Sequence, residues 1–136
     1  MVQAHRLRFL AAALALALAP LPAAALDGPS DAQGVEIRDI VALDLAGQVP
    51  SGEGRTLRSR LMTIAPGGHL PVHDHRDRPA VIYFLSGTIL EHRAGAAEPI
   101  VHTAGSGEAE SVDTVHWWQN TGSEPAVLLV TDILKP

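Results

Sequence analysis

From residue 35 onward the chain is a succession of short apolar runs cut by Gly, Pro, Asp and Ser, and nowhere does it show a convincing amphipathic helix of any length. The runs are Val35–Leu45, Arg55–Ala65, Leu70–His75, Ala80–Leu85, Thr88–Arg93, Ile100–Thr103, Glu108–Val112, Val115–Asn120 and Ala126–Ile133. Their length and turn-rich separators predict nine strands, hence an all-β sandwich or barrel. Ser86-Gly87, between two β-rich runs, reads as a tight hairpin turn. Pro66-Gly67-Gly68 reads as a separator, and Leu26–Gly34 as a flexible lead-in.

The first part of the chain follows a different pattern. An unbroken apolar stretch, residues 9–19, follows His5, Arg6 and Arg8 and precedes Pro20, Pro22 and Ala23-Ala24-Ala25. A basic segment, an apolar segment of that length and an Ala-x-Ala site predict a secretory signal peptide over residues 1–25, cleaved after Ala25. The barrel domain would then occupy 35–136, and the protein would be periplasmic or secreted, without stable membrane insertion. Both leader arginines leave on cleavage. Eight basic and fifteen acidic residues remain, a formal charge of −7 with Lys135 as the one lysine. Such an acidic chain argues against nucleic acid or an anionic membrane as partner. With no cysteine there is neither a disulfide nor a lipid attachment point, so the core alone must hold the fold.

The candidate chemistry lies in histidine. Residues two apart in a strand share a face, so His73 and His75 can offer two imidazoles to one ion. The bland alternative is two solvated histidines in a loop between Pro71 and Pro79. Forty-one residues after His75, alternation in His116-Trp117-Trp118-Gln119-Asn120 puts His116, Trp118 and Asn120 on one face and Trp117 on the other.

These two segments resemble the paired motifs of the cupin superfamily. Gly67, five residues, His73-x-His75 and a closing Gly87 match the first. Gly105, His116 and Asn120 match the second, with Ser111 and Asp113 where the family has Pro and Gly. The resemblance implies a jelly-roll β-barrel of two antiparallel sheets. It also implies one divalent transition metal ion (Fe, Mn, Ni, Cu or Zn) on His73, His75 and His116. The family's acidic ligand falls at Ala80, which cannot coordinate. Asp77 is the nearest carboxylate along the chain and the candidate fourth ligand. Without it, a three-histidine site keeps positions open for water, dioxygen or a chelating substrate.

Ala80, Trp118 and Phe84 are candidate pocket-lining residues, Phe84 and Ile82 sharing the face of Ala80 and reading chiefly as core. Arg58 and Arg60 share a face with Met62 and Ile64 and read as solvated, with an acidic substrate as the rival partner. His92 reads as a surface histidine, His69 and His102 lie beside turns without an assigned role, and Asn120 caps its strand. Two functions remain open. One is a small exported metalloenzyme, dioxygenase-like, acting on a small chelating organic molecule. The other is a non-catalytic barrel that binds or senses a small molecule. The apolar N-terminal strand (Val35, Ile37, Ile40, Val41) and the family resemblance suggest a homodimer paired through sheet edges.

Overall fold

Apolar and β-branched residues at alternate positions bury one side of most runs and leave the other more exposed, and in the computed structural model every run contributes at least a short strand. The structure describes residues 25–135. The leader expected over residues 1–25 lies outside the described residues, apart from Ala25. The strands are β1 (Gln33–Asp44), β2 (Thr56–His69), β3 (His73–Asp74), β4 (Ala80–Ser86), β5 (Thr88–Arg93), β6 (Ile100–Thr103), β7 (Gly107–Glu110), β8 (Val115–Gln119) and β9 (Ala126–Leu134).

All pairings are antiparallel. One layer runs β1-β2-β9-β4-β7; the other holds β6-β5-β8, with β3 on the free side of β8. The far end of β2 crosses between them, where His69 pairs with Gln119. The two expected sheets are therefore one continuous nine-stranded sheet bent into a nearly closed jelly-roll barrel. On its opposite side, backbone bonds between Phe84 and both Gly105 and Ser106 draw β4 toward the β6–β7 turn.

Three local readings are corrected. Pro66-Gly67-Gly68 does not end a strand but lies within β2. Gly67, at φ +74°, lets the strand bend, while its N–H bonds the Asn120 carbonyl and the Gly68 carbonyl accepts from Asn120. Conversely, the run Leu70–His75 is mostly loop, with only His73 and Asp74 paired, because Pro71 offers no N–H. Finally, the lead-in is tied down. The Val72 N–H bonds the Pro29 carbonyl at 2.9 Å and the Trp117 indole N–H bonds the Asp27 carbonyl at 3.1 Å. The outward Trp117 thus carries the segment that enters β1, which starts at Gln33.

Inward side chains of both layers form the core: Ile64, Ile82, Phe84, Ile89, Leu128 and Val130, with Met62 and Trp118 toward one end. Asn120 closes β8 as expected, its amide donating to the Ile64 and Glu124 carbonyls at 2.8 and 2.9 Å. Leu128 has no exposed surface, so Leu128→Ala should cost about 2–5 kcal/mol of stability. Urea denaturation should show this as a lower midpoint with an unchanged slope.

Candidate metal centre

β3 and β8 lie side by side with His73 opposite His116, and His75 follows in the turn after β3. This register, set by two strands far apart in sequence, brings the three imidazoles together. The Nε2 atoms of His75 and His116 are 3.0 Å apart, and those of His116 and His73 are 3.1 Å apart. His75 and His116 are fully buried and His73 partly so.

Each ring is aimed by its other nitrogen. His73 Nδ1–H donates to the Pro71 carbonyl at 2.9 Å, His75 Nδ1–H to the Arg78 carbonyl at 2.9 Å, and His116 Nδ1–H to Glu91 Oε1 at 2.7 Å. A carbonyl or carboxylate can only accept, so in all three rings the proton sits on Nδ1. In a neutral imidazole that leaves Nε2 a bare lone pair. Burial pushes the His73 pKa down to about 4, keeping that ring neutral at ordinary pH. Three lone pairs meeting at about 3 Å repel one another unless a cation lies between them. The donor set therefore fits a transition metal, and His73, His75 and His116 could hold one.

Glu91 is a residue the sequence reading missed. It has no exposed surface, and burial alone would raise its pKa. Hydrogen bonds from His102, His116 and Arg93 outweigh that and hold the carboxyl well below the usual range. His102, left without a role from sequence, donates from Nε2 to Glu91 Oε2 at 2.8 Å and stacks on Phe84 at 4.6 Å. Glu91, His102 and Glu108 form a second cluster of ligand-type atoms. The Arg93 guanidinium bonds both of its carboxylates, so the cation there is already supplied by the protein.

Glu110 was also missed. Its carboxylate is buried, with Oε2 2.9 Å from His75 Nε2 and Oε1 3.2 Å from His116 Nε2. Asp77 points elsewhere: it is exposed, bonds Lys135 at 2.7 Å, and so lies outside the cluster. The turn after His75 directs it to solvent, and its pKa is lowered by that lysine.

Beside the histidines is a cavity of about 210 Å³. Ala80 and Trp118 line it, together with Met62, Val130, Arg60 and Arg78. Phe84 does not; it is 1% exposed and belongs to the core behind His102. Arg60 is not solvated. It is 9% exposed, and its Nη2 donates to buried Asp132 at 3.1 Å. Arg58 donates to both oxygens of the same Asp132 at 3.2 and 3.1 Å. His92 is half-buried and stacks on Trp117 at 3.8 Å, on the outer side of β8, away from the cavity.

A family model described as "Cupin domain" matches residues 60–132. No curated protein matches the sequence. Among solved structures, a predicted oxalate decarboxylase from Thermotoga maritima is similar at TM-score 0.58 and 22% identity, over 74% of this chain and 80% of that one. The cupin domain of Schizosaccharomyces pombe Cnp3 is similar at TM-score 0.57 and 12% identity, over 76% and 66%. A recombinant oxalate oxidase in complex with glycolate is similar at TM-score 0.55 and 21% identity, over 75% of this chain and 55% of that one. At these identities the likeness shows the fold.

Glu91→Gln keeps the side chain's shape but removes the charge that holds His116. Metal affinity should fall about 10–100-fold, the usual cost of losing such an outer partner. His116→Ala should fall further, leaving two imidazoles. Metal content after identical loading and dialysis gives the order wild type, Glu91→Gln, His116→Ala.

Proposed function

The chain belongs to the cupin domain family, and on that premise we propose that it is a small exported metalloenzyme, dioxygenase-like, that acts on a small organic acid able to chelate the ion. The observation that carries this reading is the convergence of three Nε2 atoms, each on a ring whose Nδ1–H is already committed to an acceptor, beside a small cavity lined by His73 and His75. A divalent Fe, Mn, Ni, Cu or Zn ion held there would bind adjacent substrate oxygens and, as iron, would give access to dioxygen chemistry.

The chain's own residues supply selection. At about 210 Å³ the cavity is below the range of drug-sized pockets, which favours a substrate of few heavy atoms. Asp132 is shared by two guanidiniums, so Arg58 and Arg60 together keep one positive charge in excess. The Arg60 Nε is buried without a partner, and Arg60 lines the cavity. A substrate carboxylate would give that N–H its acceptor. Met62, Val130 and Trp118 give the wall an apolar part. The oxalate oxidase of similar fold was solved with glycolate, a small acid of this kind. The leader pattern supports export.

The test is oxygen uptake by metal-loaded protein, purified without a histidine tag, on a panel of small 2-hydroxy, 2-oxo and dicarboxylic acids. Turnover of one of them is expected, and Arg60→Ala should raise its KM more than it lowers kcat. If no acid is turned over, yet some perturb the metal's spectrum, the non-catalytic binding barrel is the better reading.

We also propose a homodimer through β1. Among the described residues this twelve-residue strand pairs only with β2, leaving its other edge open. Ile40, Val41 and Leu43 are 48%, 63% and 49% exposed. An open, apolar edge is covered most simply by a second copy. Sedimentation at micromolar concentration should give a dimer, and Val41→Lys should shift it toward monomer.

A further inference from the structure

We infer that Glu110 is a fourth metal ligand, delivered from the strand next to Ala80; this rests on the metal-dependent reading above. The two residues are register partners in the β4–β7 pair, so their side chains stand on the same inward face about 5 Å apart. Ala80 carries only a methyl group. The longer Glu110 side chain can therefore lie beside it and reach the histidines.

Three observations support a ligand rather than a packing role. The carboxylate is 3% exposed as a residue, and a buried carboxylate without a cation is costly. Its Oε1 is buried with no hydrogen-bond donor. Both oxygens face Nε2 atoms, at 2.9 Å from His75 and 3.2 Å from His116. The His75 Nδ1 proton is committed to the Arg78 carbonyl, and that of His116 to Glu91. With neutral rings these are contacts of lone pair against lone pair. A shared divalent cation turns all of them into attraction. The rival is a plain ion pair between Glu110 and a doubly protonated His75.

With Glu110 the donor set becomes three imidazoles and one carboxylate, one formal negative charge on a 2+ ion. A carboxylate among the ligands favours retention of harder divalent ions such as Mn²⁺ and Fe²⁺. It also leaves fewer positions for substrate than three histidines alone.

The experiment is Co²⁺ titration, followed by visible absorption and by metal content, of wild type, Glu110→Gln and the double variant Ala80→Glu/Glu110→Gln. The double variant returns a carboxylate to the site from the neighbouring strand. Glu110→Gln should weaken Co²⁺ binding by at least ~10-fold, since losing an outer-shell partner alone costs that much. Its absorption bands should shift, and the double variant should regain wild-type binding. If Glu110→Gln binds with wild-type affinity and spectrum, Glu110 is only a partner of His75 and the inference falls while the metal reading stands. If wild type itself binds no Co²⁺, the metal reading falls and takes the inference with it. Should Glu110→Gln fail to fold, the double variant decides: folded and binding supports the ligand, folded and not binding overturns it.

Discussion

Three imidazole rings can aim bare nitrogens at one point only if each surrenders its remaining proton in the opposite direction. That requirement organises this end of the barrel. The acceptors come from three different kinds of place: a carbonyl before a two-residue strand, a carbonyl in the turn after it, and a buried carboxylate on β5. Pro71 has no N–H to offer the ladder, and its carbonyl accepts the His73 Nδ1 proton at 2.9 Å. The turn at Arg78 matters because it brings a main-chain oxygen back to His75. Glu91 matters most, since its charge is buried and would be untenable without His116, His102 and Arg93 around it.

The same economy governs the cavity's other wall. Asp132 is buried on β9, opposite Arg58 on β2 and Ala80 on β4, and within reach of the Arg60 side chain two residues along β2. It is shared by the two guanidiniums of Arg58 and Arg60, so this ion-paired group carries one formal positive charge in excess. The apolar wall is continuous with the core through Met62 and Trp118. At this end of the barrel, buried positions carry His116, Glu91, Glu110, Asp132 and Arg60, where the core has apolar residues.

Much of this was legible from the sequence because alternation is a local property. It placed Ile82 and Phe84 inward with Ala80, His116 with Trp118, and Trp117 outward, all as the structure has them. The His73–His75 pair was readable from alternation, and His116 joined it through the resemblance to the paired cupin motifs. What was not readable depends on register between distant strands. Glu110 meets Ala80, and Asp132 meets both Ala80 and Arg58, through pairings that no single-sequence pattern encodes. Glu91 and His102 could be flagged only as charged or polar residues at inward positions of apolar strands, a signal that alternation does contain. Asp77 was chosen for nearness along the chain, which says little in a turn whose direction is set by the backbone around Pro79. Phe84 was correctly turned inward, but the cavity and the core share that face, and only packing separates them.

The facing of His73 and His116 across 43 residues of sequence also has a kinetic side. No hairpin of the chain contains the trio; it exists only once β3 has docked on β8, a contact of high sequence separation that forms late in β-rich folding. An ion that binds the trio would therefore select the finished barrel over every partly folded form. At a hundred times its dissociation constant, such an ion deepens the native well by about 2.7 kcal/mol, a large share of a small domain's stability. Survival against proteases would then follow the local supply of the ion as closely as any activity does.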